Sequence, residues 1–507
     1  MEHSQTQQAW LLFAISLMAL MINFDYTAVN LSLVTIAHHL HTSLNTIQWT
    51  LSGYMLAWAA LTIPAGKQID RFGQKRMCLI GIALFLFSSV LAGLSENGWM
   101  LISARVLQGI SGAIYVPTLY ALIFKHFHKQ RLGFAMGLLS VGVGFGMAIG
   151  PTVGGIILHY FGWRWIFLMN IPIALIGLFI IARCADPDQM QSSLQKPDNI
   201  GAILLGLSLI LFIFALSKMQ IWGLGSVHFI AAIIASLLLF LGLTVWQSKS
   251  RREPIIPFHL FLNKSYTAVV LAFFLEQYAF SASMVLISLF LQKVLNLSIL
   301  KASLMFLALN LLFGIVSPFG GTIIDKVGVK WPAFLGLLIL ALGLAGFSQL
   351  TPNTSQSLIY LCLMITGFGM GISFTSLNSG MVKTIKASES GIASSVFLLF
   401  ALLGNICGVV ISTLIYETSA DNSLIQALSK NTLLSQAQLA QLKNTIHYIG
   451  EQTHNLSTFS ITMQHKIMLL MPYSLNMGIS KALILTTIGV FIASALVICF
   501  IHREASS

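Results

Sequence analysis

Charge is what this chain has least of: only 8% of its 507 residues are Asp, Glu, Lys or Arg. A soluble domain carries roughly 25%. With 56% hydrophobic residues and a mean hydropathy of +0.86, the scarcity excludes an ordinary soluble protein and implies an integral membrane one. Cysteine is also sparse. Cys78, Cys184, Cys362, Cys407 and Cys499 are scattered in or at the ends of apolar segments, which excludes a disulfide framework and any Cys-based metal site. Catalytic patterns are missing too: no span carries His-Glu-x-x-His or a serine elbow, so no enzyme is expected. His38, His39 and His41 cluster after the first apolar segment without an acid or Cys nearby, so no metal site is expected there.

What the chain does have is a basic balance, 27 Lys+Arg against 15 Asp+Glu. The cations sit in short loops between apolar runs, which points to a lipid bilayer as partner and away from nucleic acid. A spanning helix needs about 20 mostly apolar residues. Fourteen runs qualify, near 10–35, 48–66, 77–95, 100–123, 133–158, 164–183, 200–217, 226–247, 266–291, 302–323, 331–350, 357–379, 391–415 and 481–502. The run at 200–217 is the shortest of them. The expected fold is an all-α integral membrane bundle. It divides into a six-helix half over 1–199, two inserted spans with a linker over 200–250, and a second six-helix half over 251–507. The second half includes a polar outer loop at 416–480, whose 421–449 stretch has the Leu and Ile spacing of a short amphipathic helix. The N-terminus has no basic region or cleavage site, so the first span is expected to be retained. With both termini in the cytoplasm, eighteen Lys/Arg fall inside, eight fall outside and Arg105 alone lies within a span. That asymmetry sets the expected orientation in the inner (plasma) membrane.

Only three formal charges remain well inside spans: Asp25, Arg105 and Glu276. A charge at mid-bilayer costs at least ~2.5–3.5 kcal/mol, so such residues face a cavity or each other. Apolar surroundings disfavour the ionised carboxyl, and an acid so placed can load a proton on one side and release it on the other. Asp25, Arg105 and Glu276, with Tyr26 and Asn30 beside the first acid, are the candidate proton and substrate path. The alternative is that one acid pairs with Arg105 and ties helices together. A polar turn, Gly66-Lys-Gln-Ile-Asp70-Arg71-Phe-Gly73-Gln-Lys75-Arg76, has a later echo in Gly321-Thr-Ile-Ile-Asp325-Lys326-Val-Gly328-Val-Lys330. A pattern recurring at the same place in two halves implies an internal repeat, the arrangement that frames a midplane substrate site in secondary transporters. Gly142, Gly146, Gly150 and Gly154 recur every four residues in the fifth span, with Pro151 after the third. They share one helix face, where small residues let backbones approach.

Together these residues resemble the major facilitator superfamily, and within it the fourteen-span drug:proton antiporters. The Gly66–Arg76 turn is similar to the family's loop between spans two and three, and Arg105-Val-Leu-Gln108-Gly109 to its span-four motif. The run from Gly146 through Gly150, Pro151 and Gly154 resembles the span-five antiporter signature, and Asp25-Tyr26-Thr-Ala-Val-Asn30 a first-span motif. The chain departs from the family pattern at Ala401-Leu402, where Arg-Gln is usual, at Val34, where Pro is usual, and at Lys330, which stands without an Arg. The resemblance implies proton-coupled export of a small-molecule substrate by alternating access, most simply multidrug efflux; the alternative is a polar metabolite such as a siderophore. It also implies an inner gate locked between the halves by Asp70 and Arg71 within the loop Gly66, Gly73 and Arg76, with Asp325 in the echo. Proton handling would fall to Arg105, and no cofactor is expected beyond the proton gradient. The 416–480 segment would be the surface on which a periplasmic adaptor protein is expected to dock.

Overall fold

The computed structural model describes residues 5–188, 198–250, 254–386, 389–431 and 461–501. Among them there is no strand, and fourteen long helices carry the fold. In a bilayer the backbone has no water to bond, so apolar segments satisfy themselves as helices. They are α1 (Gln5–His39), α2 (Trp49–Phe72), α3 (Gln74–Gly93), α4 (Gly98–His126), α5 (Leu132–Tyr160), α6 (Asn170–Cys184) and α7 (Asn199–Trp222). There follow α8 (Val227–Lys249), α9 (Lys264–Leu289), α10 (Ile299–Val327), α11 (Lys330–Ser348), α12 (Gln356–Lys383), α13 (Ser390–Asn431) and α14 (Ile461–Phe500). Thirteen of the segments are long and apolar enough to cross a membrane. The remaining helix, α2, has the length but carries Thr50, Ser52, Thr62 and Lys67. It packs against α4, α7 and α13, and Thr50 and Thr62 are fully buried there.

Helices α1–α6 pack among themselves, α5 along α1 and α4 between α2 and α3. Helices α9–α14 pack likewise, with α9 along α13 and α12 between α10 and α11. The two bundles meet along two seams, α5 against α10 and α2 against α13. Helix α7 touches both α2 and α13 beside the second seam, while α8 rests on α7. Ser208 and Ser236 join these two helices by reciprocal hydroxyl-to-carbonyl bonds of 2.9 and 2.8 Å. Only Ser236 and Leu243 of α8 are buried, and the rest of this mostly apolar helix is exposed or partly exposed, as a lipid-facing helix should be.

Two expectations change. The span expected at 200–217 to be the shortest is the 24-residue α7, because Lys218–Trp222 continue the helix instead of ending it. The expected polar loop at 416–480 begins as helix: α13 runs 42 residues to Asn431 and α14 starts at Ile461. At 1.5 Å per residue α13 is roughly 63 Å long, about twice the hydrocarbon thickness. Tyr416, Ala420, Leu424 and Leu428, four apart, form its buried stripe, and a Cβ on Gly478 of α14 would strike the Tyr416 carbonyl. An apolar stripe shared by two helices holds them together despite the polar composition. Residues 432–460, including most of the expected amphipathic helix, lie outside the described residues.

The two polar turns are also mostly helix. Helix α2 continues through Phe72, so Gly73 alone makes the reversal into α3, with φ +97° and ψ 149°. In the echo α10 continues to Val327 and Gly328 turns at φ +80°. A Cβ on Gly73 would also run into the Asp188 carboxyl group. That carboxylate accepts the Lys75 and Arg76 amides at 3.1 and 2.8 Å, capping the α3 N-terminus. Gly73→Ala is expected to lose about 1–3 kcal/mol of stability, the cost of a side chain in that backbone region. A thermal melt of the purified protein that matches the wild type would contradict the role given to this turn.

Candidate functional site

Each polar turn ends in an acid that reaches the other bundle. Asp70, at the end of α2, accepts hydrogen bonds from the Gly391 and Ile392 amides at 2.8 and 2.9 Å, at the start of α13. Asp325, at the end of α10, accepts from the Gly133 and Phe134 amides at 2.7 and 2.9 Å, at the start of α5. A helix start offers unpaired N–H groups and the positive end of its dipole, so a carboxylate there is favoured twice over. Close approach makes it possible. Gly66 lies under the Gly391 carbonyl, and Gly133 and Gly321 each sit where the other's Cβ would collide with backbone. Gly66-Asp70-Gly73 and Gly321-Asp325-Gly328 share one spacing and perform one contact. The donor side, Gly133 and Gly391, was not foreseen; its signal is a Gly followed by a large apolar residue at a helix start. Gln74 adds a cross-bundle bond to the Ser390 hydroxyl at 3.0 Å. Arg71 does not reach across: its guanidinium stands 5.6 Å from the Phe72 ring and makes no ion pair or hydrogen bond with a described residue. Arg76 contributes through its backbone amide to Asp188 and is itself exposed.

The three intramembrane charges are all fully buried, and they divide unequally. Asp25 and Arg105 pair at 2.5 Å. The second Asp25 oxygen accepts from the Asn170 amide nitrogen at 2.9 Å. Arg105 also donates to Gln108 at 2.7 Å and to the Thr50 carbonyl at 3.2 Å, while Gln108 donates to the Ser89 hydroxyl at 2.8 Å. The guanidinium lies 4.2 Å from the Tyr54 ring, and Tyr54 stacks on Tyr26 at 6.5 Å. One ion pair thus ties α1, α2, α3, α4 and α6. The reading in which one acid pairs with Arg105 holds for Asp25. Asn30 is exposed and lies outside this network. Among the described residues Glu276 has no cation: one carboxyl oxygen takes the Ser373 hydroxyl of α12, and the other has no hydrogen-bond partner.

Between the bundles lies a cavity with about 110 Å³ of space open to water. Its wall is mostly apolar, with Asn23, Trp58, Tyr120, Gln277 and Asn405 as its polar members. Asn405 donates to the Gln277 carbonyl oxygen at 3.2 Å, joining α9 to α13. No charged residue lines it. At 100° per residue, Asp25 points roughly opposite to Asn23 and Glu276 sits a quarter-turn round from Gln277. Both acids therefore stand behind the cavity wall, where the sequence had suggested they would line it. Drug-sized pockets run to about 300–1,000 Å³, so the cavity as it stands is too small for a drug-sized molecule.

The glycine face of α5 is filled by α1. Cβ atoms on Gly142, Gly146, Gly150 and Gly154 would strike Ser16, Leu20, Thr27 and Ala28 in turn. Pro151 lies within the same helix, which runs on to Tyr160. This stripe is a seam inside one bundle, and it seats the helix that carries Asp25. Among the described residues no three His, Cys, Asp or Glu side chains gather as metal ligands.

Comparison with known proteins places these features in context. The family model described as Major Facilitator Superfamily matches residues 13–409. The Tetracenomycin C resistance and export protein of Streptomyces glaucescens is 28% identical over 75% of this chain and 71% of its own length. Multidrug resistance protein 3 of Bacillus subtilis is 28% identical over 84% of this chain and 83% of its own. Among solved structures, the proton:xylose symporter XylE shares the fold at a TM-score of 0.60 and 12% identity, covering 90% of this chain and 96% of that one.

Removing one partner of a buried ion pair strands the other charge, at about 3–5 kcal/mol. Asp25→Asn and Arg105→Gln are each expected to destabilise the protein by that order, and the double variant by clearly less than their sum. Additive losses in denaturation of the detergent-solubilised protein would show that the pair does not tie the helices.

Proposed function

The chain belongs to the Major Facilitator Superfamily, and on that premise we propose that it exports small molecules in exchange for protons. The reading places it in the plasma membrane of a bacterial cell, both termini in the cytoplasm, with the Asp70 and Asp325 face turned to the cytosol. The names of relatives that resist or export antibiotics support efflux as the direction of transport. The reciprocal caps are the observation that carries the mechanism. They join the halves on one face only by contacts that a rocking motion can break.

With the caps made, the cavity is closed to the cytosol. Breaking them opens it for cargo; remaking them returns it to the outside. Glu276 is the group that exchanges a proton, because a bare carboxylate in an apolar site costs several kcal/mol and this one has no cation to answer it. Cargo entering beside Gln277 draws the proton off towards the cytosol, and a proton from outside restores it. Asp25 and Arg105 hold the first half rigid. The membrane potential contributes about 2.3 kcal/mol per charge per 100 mV. A cavity with three amides and no charge also supports a second reading, a polar metabolite such as a siderophore. On either reading the α13 and α14 extensions are where an envelope adaptor protein would make contact.

In inverted proteoliposomes with an imposed pH gradient, a cationic dye, a polyketide antibiotic and an iron-free siderophore should be tried in turn. At least one is expected to accumulate only when the gradient is present. Glu276→Gln should cut gradient-driven uptake at least tenfold while leaving cargo binding within about twofold. Undiminished coupling in both Glu276→Gln and Asp25→Asn would remove the basis for proton exchange.

A further inference from the structure

Two polar groups on the wall of the central cavity are left unanswered, and both are donors. Among the described residues neither the Trp58 indole N–H nor the Gln277 side-chain nitrogen has a hydrogen-bond partner, and both residues line the cavity. Gln277 is 5% exposed. Its carbonyl oxygen already accepts from the Asn405 amide at 3.2 Å, so only its N–H groups are left to offer. The indole is held in place: the Tyr54 ring meets it edge to face with centroids 5.4 Å apart, and a Cβ on Gly112 would come within 3.2 Å of it. A donor left unpaired in an apolar site costs free energy that an acceptor removes. The two donors belong to different bundles, Trp58 to α2 of the first and Gln277 to α9 of the second.

The rest of the wall limits what can answer them. None of the lining residues is charged, and Asp25 is already paired with Arg105. A cation would meet two N–H dipoles and no carboxylate, and an anion would carry a full charge into an apolar space. A hydroxyl brings an acceptor but also a proton that needs an acceptor of its own; a carbonyl oxygen brings the acceptor alone. Tyr120, Phe273 and Phe374 add flat apolar surface, and Phe273 is fixed by stacking on Phe397 with centroids 4.1 Å apart. The space of about 110 Å³ is on the scale of one aromatic ring, since a cavity of roughly 150 Å³ takes benzene. We propose that this cavity selects neutral aromatic molecules bearing carbonyl oxygens, and that Trp58 and Gln277 are the residues that recognise them. A cargo with a carbonyl at each end engages one donor from each bundle, so its binding also draws the halves together. Trp58 and Gln277 take this role only if the cavity is the cargo site, as the export reading has it.

Four single-ring probes of similar size separate the possibilities. They are 1,4-diacetylbenzene with two carbonyls, 4-ethylacetophenone with one, 1,4-diethylbenzene with none, and 4-ethylbenzylamine, a cation at neutral pH. Their affinities for the full chain in nanodiscs are read by ligand-observed NMR, with empty nanodiscs subtracting partition into lipid. Each carbonyl is expected to strengthen binding by roughly three- to tenfold, the worth of one hydrogen bond. The diketone should therefore bind at least tenfold tighter than diethylbenzene, and the amine no tighter than diethylbenzene. Trp58→Phe keeps a ring and removes the donor, and should bring the diketone down to the affinity that the monoketone has for the wild type. Gln277→Leu should do the same, and gives an independent reading should the first variant fold poorly. Equal binding of the diketone and diethylbenzene would overturn the proposal, and so would the absence of specific binding by any probe. Tightest binding of the amine would overturn it in favour of a cation held on the aromatic faces. An unchanged ranking in both variants would overturn the assignment of the two donors. No gradient is applied, so the ranking is read apart from proton exchange: with the ranking intact, absence of gradient-driven uptake would contradict the export reading alone.

Discussion

A carboxylate at the end of one helix, taking two amides from the start of a helix in the other bundle, is the contact on which this structure turns. It occurs twice, at Asp70 with Gly391 and Ile392 and at Asp325 with Gly133 and Phe134. Each is a helix cap that crosses between bundles. A cap contributes up to ~2 kcal/mol, more where a charge meets the dipole. Two lost together shift an open–closed equilibrium by roughly 4 kcal/mol, several hundredfold, at 1.4 kcal/mol per decade. That is large enough to favour one face and small enough to be overcome by binding energy. Amides at a bundle interface are poor places for an unpaired donor, so loss of either carboxylate leaves two N–H groups unanswered.

The two halves repeat this contact but differ in their buried acids. Asp25 has both oxygens occupied and a guanidinium at 2.5 Å. Glu276 has a serine on one side and nothing on the other. One acid holds five helices together; the other is left with a site to fill. Neither lines the cavity, whose polar groups are amides and aromatic heteroatoms.

Much of this was legible in the sequence. Fourteen apolar runs became fourteen long helices, because in lipid an apolar run has one backbone solution. The repeat was visible in the Gly66-Asp70-Gly73 and Gly321-Asp325-Gly328 spacing, since a close crossing, an acid and a one-residue reversal each demand a particular residue type. The glycine face of α5 was visible, but its partner was not: four glycines announce a seam without saying what fills it, and here it is α1. Helix ends were the weakest point. Polar residues after Ile415 looked like loop, yet Tyr416, Ala420, Leu424 and Leu428 continue a buried stripe four apart. Asp188 and Asp198 escaped notice because a capping acid in a connecting segment looks like any other polar residue until its helix is in place.

The cross-bundle caps can be tested by distance. Spin labels at Gln130 and Val327, both exposed near the Asp325 cap, would report the separation of the bundles by pulsed electron spectroscopy in a cysteine-free background. The account expects one short distance in the parent protein and a shift of most of the population to a longer one when Asp70→Ala and Asp325→Ala are combined. An unchanged distribution in that double variant would mean that something other than the two carboxylates holds this face shut.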